Sequence, residues 1–225
     1  MCGRYSLIVD ASVLAGVFEI DPPRDLKPRF NIAPTQTVPI VRAGREAPRE
    51  WAEVRWGLVP LWAKDSKIGA RMINARGETV AEKPSFRSAV KSRRCLIPAD
   101  GFYEWVATNG GKRPHFIHFA DGRPFAFAGL WERWDKGGDQ PLDTCTIITT
   151  TPNRLVAGLH DRMPVILAPD VFREWLAPQP LAPDRLQDLL VPCPTAGMEA
   201  YPVSTHVNKP TNDDPDCIAR MNQEF

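Results

Sequence analysis

Apolar residues recur along the chain in short runs, and the spacing within these runs distinguishes helices from strands. At 11–18 the apolar positions fall on one side of a helix that begins after Asp10, a residue type favoured at helix N-caps. The same pattern predicts a helix from Asp170 to residue 176, capped by Asp170, and another at 183–190. All three predicted helices are short.

Strand-like segments outnumber the helices and are separated by turns that contain Gly, Pro or Asp. They are predicted at 38–41, 51–56, 94–98, 102–106, 115–119, 125–131, 144–149, 165–167 and 198–203. The segment 28–34, with a proline at each end, is predicted to be a loop. The segment 71–78 has no clean periodicity and is predicted to be irregular. These elements, without a repeat or a linker between them, predict one α+β domain over residues 1–225 with a strand-rich core.

Composition restricts the class of protein further. The chain has 225 residues, 43% hydrophobic and 24% charged, as expected of a globular protein with a sizeable core. No apolar run has the length of a membrane span, and the first 20 residues lack a secretion signal, so we expect a cytoplasmic protein without a membrane partner. Five cysteines without a CxxC pair argue against a disulfide framework and a zinc ribbon. We therefore predict no metal.

The formal net charge is only +1, but the charges are unevenly placed along the chain. Residues 64–94 contain nine Lys or Arg and three Asp or Glu. In residues 170–225 the balance is reversed, with four Lys or Arg and nine Asp or Glu. A basic segment on a neutral chain is a weak indication of nucleic-acid binding, and a solvated surface is the commoner explanation.

The chain begins Met1-Cys2-Gly3-Arg4, so removal of Met1 would leave a terminal cysteine. Such a residue carries two nucleophiles, an α-amine of pKa about 7.7–8.0 and a thiol of pKa about 8.5. Together they can close a five-membered thiazolidine on an aldehyde, or the amine can act as a base for the thiol. The alternative is that Cys2 is a small residue that merely follows the initiator methionine.

Glu104 and His160 are candidate proton-transfer groups. Glu104 lies in the aromatic strand predicted at 102–106, and on the inner face of that strand burial would raise the pKa of its carboxyl group. An outward-facing glutamate is the alternative. His160 directly precedes the buried-looking strand at 165–167, a position suited to proton transfer, although a lone histidine is more often structural.

Four further side chains are candidates for contacts with a sugar, a phosphate or a base. The Asn74 amide can hydrogen-bond a sugar or an oxyanion, and the guanidinium groups of Arg76 and Arg162 can clamp phosphates bidentately. Trp62 can stack on an exposed base. Core packing for Trp62 and capping of a helix end by Arg162 are the alternatives.

Taken in chain order, these residues and the motifs around them resemble one family, the SOS-response-associated peptidase (SRAP) family. The resemblance begins with MCGRY at 1–5 and runs nearly to the end of the chain. The further motifs are PRFNIAPTQ (28–36), WGLVPLW (56–62), NARGET (74–79), RCLIPADGFYEW (94–105), GLW (129–131), HDRMP (160–164) and VNKPTN (207–212). Residue 77 is glycine where the family motif usually has serine.

The resemblance implies a protein that crosslinks itself to abasic sites in single-stranded DNA through a thiazolidine, without a metal or organic cofactor. Cys2 matches the crosslinking residue and Asn74 the amide that contacts the sugar. Glu104 and His160 match the two acid/base groups, which could also support lyase and peptidase activities. The positions that match those lining the DNA path are Arg4, Trp62, Arg76 and Arg162.

The fold that the resemblance implies is a single α+β domain with a curved, barrel-like, mostly antiparallel β core flanked by short helices. Cys2 is expected at the floor of a basic groove. We expect a monomer that is cytoplasmic and that joins the nucleoid when it is bound to damaged DNA.

Two other functions are compatible with the residues. An N-terminal-nucleophile hydrolase, such as a glutamine amidotransferase, would use the Cys2 thiolate to attack an amide and would not need an aldehyde. A non-enzymatic module that binds single strands would use the Trp and Arg residues alone. The ordered motifs disfavour both functions. They disfavour the second more strongly, because Glu104 and His160 would have no role in it.

Overall fold

The computed structural model describes residues 2–44, 46–137 and 140–221, which form thirteen strands and four α-helices joined by turns and short 3-10 helices. The strands are β1 (Tyr5–Leu7), β2 (Arg29–Ile32), β3 (Thr37–Ala43), β4 (Arg49–Trp56), β5 (Asn74–Arg76), β6 (Arg94–Ala99), β7 (Gly101–Thr108), β8 (Gly111–Phe119), β9 (Phe125–Trp134), β10 (Leu142–Thr150), β11 (Met163–Pro164), β12 (Ile166–Leu167) and β13 (Met198–Pro202). The helices are α1 (Ala11–Phe18), α2 (Ala89–Ser92), α3 (Phe172–Leu176) and α4 (Pro183–Leu189).

Five strands of the larger sheet close into a barrel. β3 pairs antiparallel with β4 and β6, and β9 pairs antiparallel with β6 and β10. β10 then closes the ring by pairing parallel with β4. Beyond the ring, β5 and β11 pair with β10, and β12 pairs with β9. The expected α+β fold with a curved, mostly antiparallel, barrel-like core is confirmed.

A second sheet of five antiparallel strands, in the order β13-β8-β7-β1-β2, packs on the barrel. Aromatic rings join the two layers: the Tyr5 ring lies 5.3 Å from Trp56 and 5.7 Å from Phe127. Phe102 of β7 lies 6.1 Å from the same Phe127 ring. Because β1 is hydrogen-bonded to β7 on one side and to β2 on the other, the start of the chain is held inside this sheet.

The strongest periodic patterns predicted their elements well. Helix α1 has the predicted bounds, and Asp10 is its N-cap residue, although the Asp10 side chain makes no cap hydrogen bond. Of the strand predicted at 165–167, residues 166–167 form β12, which pairs with β9, and the separate strand β11 precedes it and pairs with β10. In the described parts of the chain, no helix is both long enough and apolar enough to cross a bilayer.

Three local predictions were wrong. The predicted loop at 28–34 contains β2, which is stabilised by its pairing with β1 and by Asp213, whose carboxylate accepts the N–H groups of Phe30 and Asn31. The segment predicted to be irregular at 71–78 contains β5, whose three residues are too few to show a period. Asp170 does not cap a helix, because it lies inside the 3-10 turn Pro169–Val171 that precedes α3.

Candidate active site

Cys2 lies at the buried end of the segment that leads into β1, with none of its surface exposed. The Arg4 carbonyl oxygen accepts a hydrogen bond from the Tyr103 backbone N–H at 3.0 Å, which holds this segment beside β7. On the other side, Asn74 Nδ2 donates to the Cys2 carbonyl oxygen at 2.8 Å. Burial raises the pKa of the Cys2 thiol far above its ordinary value, and the nearby Glu104 charge adds to this shift. The buried Cys2 thiol is therefore protonated at neutral pH.

Asn74 is fixed in place by strand β5. The strand pairs in parallel with β10, with Asn74 in register with Ile147. Ala75 is buried, so the alternation of a strand places the side chains of Asn74 and Arg76 together on the opposite face. The pairing of β5 with β10, a strand of the barrel, thus fixes the Asn74 amide beside Cys2.

Glu104 faces the interior of the protein, not the solvent. It lies on β7 and is 3% exposed. Burial raises the pKa of its carboxyl group to about 7, and the nearby negative charge of Asp161 acts in the same direction. At neutral pH the carboxyl group is thus present in both protonation states, which a general acid/base requires.

His160 reaches the same place from the loop that precedes β11. Its Nε2 lies 3.9 Å from Glu104 Oε2, and burial lowers the pKa of the imidazole. Nδ1 lies 2.9 Å from the Arg162 backbone N–H and 2.8 Å from Asp161 Oδ1. The neutral ring with its proton on Nε2 accepts from the Arg162 N–H, whereas a ring protonated on Nδ1 donates to Asp161. The two contacts therefore require different positions of the ring proton.

Arg162 is engaged with other protein groups. Its guanidinium makes a bidentate ion pair with Glu78, at 2.6 and 2.9 Å, and donates to the Thr149 carbonyl oxygen at 2.7 Å. The hydrogen bonds from Arg162 hold the pKa of the Glu78 carboxyl group below its usual value, despite a smaller opposing effect of burial. A phosphate therefore has to compete with Glu78 for this arginine.

Arg4 also has protein partners. Its Nη1 donates to Asn31 Oδ1 at 2.6 Å and to the Val207 carbonyl oxygen at 2.7 Å. Its guanidinium carbon lies 5.8 Å from the centre of the Trp105 ring. These contacts tie the segment after Cys2 to β2 and to the region near the C-terminus, so Arg4 helps to position Cys2.

Arg76 and Trp62 are the two most accessible of the eight predicted site residues. Arg76 is exposed at the end of β5, and Trp62 is 51% exposed. The indole Nε1 of Trp62 donates to the Pro84 carbonyl oxygen at 3.4 Å. Much of the ring nevertheless remains exposed to solvent. Core packing of Trp62 is therefore excluded, and both side chains are available to an external ligand.

The structure brings Cys2, Asn74, Glu104 and His160 to one place and surrounds them with charged neighbours that sequence reasoning missed. Asp161 contacts His160, and Glu78 holds Arg162. Both acidic residues belong to motifs quoted above, yet nothing in their spacing indicated a partner. The sequence held no signal for either contact, because the burial that makes Arg162 need a counter-charge is visible only in the folded structure.

One group of side chains in the described residues has the donor atoms for a metal ion. Ligand atoms of His206, Asp214 and Cys217 lie within 4.8 Å of one another. However, His206 Nε2 lies 3.0 Å from Asp214 Oδ2, and His206 Nδ1 lies 3.1 Å from Asn212 Nδ2. Hydrogen bonds within the protein account for this arrangement, and the group shares none of its residues with the Cys2 site.

The fold and the site define a class of protein: an α+β barrel protein with a buried cysteine near its N-terminus, placed beside a carboxyl group and an imidazole. The family model described as SOS response associated peptidase (SRAP) matches residues 1–210. This chain belongs to that family.

Relatives and solved structures agree with this assignment. The abasic site processing protein YoqW of Bacillus subtilis (strain 168) is 48% identical over 223 residues, which cover 97% of this chain and 99% of that protein. The abasic site processing protein HMCES of Gallus gallus is 33% identical over 224 residues, covering 85% of this chain and 66% of that protein. A crystal structure of a protein from Bacteroides thetaiotaomicron, 29% identical, superposes with a TM-score of 0.87 and covers 98% of this chain and 100% of that one. Relatives in the family are thus named for processing abasic sites.

Proposed function

We propose that this protein processes abasic sites in single-stranded DNA by forming a covalent thiazolidine crosslink through Cys2, after removal of Met1. The observation that carries the proposal is the buried carboxyl group of Glu104, with a pKa of about 7, between the Cys2 segment and His160. An acid/base pair beside a terminal 1,2-aminothiol accelerates the proton transfers of its condensation with an aldehyde. The names of the relatives supply the source of the aldehyde, an abasic deoxyribose.

The chemistry follows from the groups at the site. His160 protonates the sugar ring oxygen and favours the open-chain aldehyde. The Cys2 amine attacks C1′, Glu104 moves a proton from nitrogen to the leaving hydroxyl group, and water departs to give an imine. The Cys2 sulfur then adds to the imine carbon while its proton goes to the nitrogen. The net reaction joins aldehyde and aminothiol with loss of one water, and it removes the imine that would otherwise promote strand cleavage.

The other site residues bind or position. The Asn74 amide, which donates to the Cys2 carbonyl oxygen, orients the nucleophile and contacts the sugar. Arg76 binds a phosphate and Trp62 stacks on a base beside the lesion, because both are exposed. Arg162 contributes a phosphate contact once Glu78 is displaced from it, and Arg4 contributes mainly by holding the Cys2 segment.

The proposal includes further properties. Without ring closure the imine permits β-elimination, so a lyase activity accompanies the crosslink, and the same nucleophile and acid/base pair could open a peptide bond. We propose that the protein acts as a monomer in the cytoplasm and joins the nucleoid on damaged DNA. A glutamine amidotransferase remains the competing function, and it predicts glutamine hydrolysis without any aldehyde.

The test uses protein shown by intact mass to lack Met1, mixed with a single strand that carries one abasic site or the intact base. We expect a heat-stable adduct with the abasic strand only, because an aldehyde is required. The Cys2→Ala variant keeps a terminal amine but loses the thiol, so it should cleave the abasic strand and leave an adduct only when borohydride reduces the imine.

Two results would contradict the proposal. Equal labelling of the intact strand would remove the requirement for an aldehyde. A heat-stable adduct of Cys2→Ala without reductant would show that the thiazolidine is not the product, and peptide mapping would then locate the reacting amine.

A further inference from the structure

Glu78 holds the guanidinium of Arg162 in the manner in which a phosphate would. Both carboxylate oxygens accept from the two terminal nitrogens of Arg162, at 2.6 and 2.9 Å. A phosphodiester likewise offers two non-bridging oxygens to the planar fork of an arginine. The carboxylate of Glu78 therefore presents to Arg162 the same paired oxygens and negative charge that a backbone phosphate would present.

The pair lies at the edge of the candidate site. The Arg162 backbone N–H donates to Nδ1 of His160, so the pair borders the acid/base group. On the other side, Arg162 contacts Thr149, which is in register with Arg76 across the β5–β10 pairing. Arg162 is thus linked by direct contacts to His160 on one side and to Thr149, the strand neighbour of Arg76, on the other.

The two partners differ in how firmly they are held. The Arg162 side chain is 12% exposed and is also anchored by the Thr149 carbonyl oxygen at 2.7 Å, so its position does not depend on Glu78 alone. The Glu78 side chain is 47% exposed, and a rotation about its own bonds can transfer its carboxylate to water. Of the two, Glu78 is thus the group that can be replaced by an external anion.

We propose that Glu78 is a specificity-determining residue that competes with DNA backbone phosphates for Arg162 and thereby lowers the non-covalent affinity for any single strand. The inference rests on the proposed function. Each strand must displace one carboxylate before Arg162 can bind it, and the displaced charge then repels nearby phosphates. Intact strands are released because this competition weakens their binding, whereas an abasic strand is retained by the covalent bond to Cys2.

The experiment measures binding of an intact, labelled single strand by fluorescence anisotropy at several salt concentrations. Glu78→Gln should bind about three- to tenfold more tightly than wild type at low salt, as expected when a competing exposed ion pair is lost. The slope of log affinity against log salt should become steeper by up to about 0.7, the contribution of one further phosphate contact on a single strand. The matched control is Glu82→Gln, an exposed acid four residues away whose removal changes the net charge equally.

Three results would overturn the inference. In the first, Glu78→Gln binds the strand no more tightly than Glu82→Gln, and in the second it binds more weakly than wild type. In the third, Glu78→Gln raises the affinity equally when Arg162 has been replaced by Gln. The second result would mean that Glu78 only supports the local fold. Crosslinking of wild type to the abasic strand is measured in parallel. Loss of that adduct contradicts the proposed function, whereas an intact adduct together with any of the three results contradicts only the role of Glu78.

Discussion

Glu104 and His160 lie at 3.9 Å, and burial moves their pKa values in opposite directions. It raises the pKa of the Glu104 carboxyl group to about 7 and lowers that of the His160 imidazole, because in each case the charged form loses hydration. Burial thus makes the Glu104 carboxyl group a stronger competitor for a proton, and the His160 imidazole a weaker one, than either group is in water. This suits a reaction that both adds and removes protons at one carbon.

Replacement of Glu104 by glutamine keeps the shape of the side chain and removes its proton chemistry. We expect Glu104→Gln to slow crosslinking about 100- to 10,000-fold, the usual contribution of a general acid/base. In wild type the rate should rise with pH through about 7 as the carboxyl group ionises and becomes a base, and the variant should lose this inflection. Single-turnover rates on gels between pH 5.5 and 8.5 measure both effects.

Binding of the intact strand provides the control for Glu104→Gln. The affinity should stay within a factor of about two of wild type, because the buried Glu104 side chain is not proposed to contact a phosphate. A variant that keeps the wild-type rate and pH profile would show that another group performs the proton transfer.

Strand β1 follows Cys2 closely and so positions it in the candidate site. The position of β1 in turn depends on a buried carboxylate. Asp100, between β6 and β7, accepts from Ser6 Oγ at 2.6 Å, from the Val9 N–H at 3.0 Å, and from the Ile8 N–H. The Asp100 N–H in turn donates to the Ser6 carbonyl oxygen at 3.0 Å. One residue thus joins the end of β1 to the beginning of β7, the strand that contains Glu104.

Asp100→Asn replaces one of two accepting oxygens by a donor. At least one buried N–H or O–H group then loses its partner, so we expect the free energy of unfolding to fall by about 1–3 kcal/mol. Urea denaturation followed by circular dichroism measures the change. Asp121→Asn is the matched control, because the Asp121 side chain is exposed and, among the described residues, bonds only to neighbouring Arg123. It should change stability by less than about 0.5 kcal/mol. Equal effects of the two substitutions would contradict the role assigned to Asp100.

At the scale of the whole molecule, the barrel and the five-stranded sheet share one hydrophobic core. The buried residues that form this cluster include Tyr5 and Phe102 from the sheet and Trp56 and Phe127 from the barrel. Neither layer can bury its inner face without the other, and Cys2 belongs to the same cluster. The candidate site therefore forms only when the two layers are packed together.

From this shared core we predict that the chain unfolds as a single domain. Tryptophan fluorescence, which includes Trp56 of the barrel, and far-UV circular dichroism should give coincident midpoints in urea. Addition of a short abasic strand should raise the common midpoint, as for any ligand that binds only the folded state. Two separate midpoints would show that the sheet and the barrel are independent units.

The sequence by itself predicted those features that depend on neighbouring residues or on ordered motifs. Helix α1 and most strands follow from local periodicity, because a side chain two or four positions away already reports which face is buried. The family and the identity of the candidate site residues follow from motifs that recur in a fixed order, which need no knowledge of the fold. Cys2, Asn74, Glu104 and His160 were singled out by the chemistry of their side chains, and the ordered motifs then assigned their roles.

The tertiary structure alone decided the features that depend on partners remote in the chain. Strand β2 exists because of β1 and of Asp213, which lies more than 180 residues away in sequence from the groups that it binds. Glu104 is buried because the barrel covers its strand, and Arg162 is paired with Glu78 across 84 residues of sequence. The free energy of such contacts comes from burial and charge pairing, which a local sequence pattern does not reveal. The pKa of Glu104 and the partner of Arg162 could therefore be determined only from the folded structure.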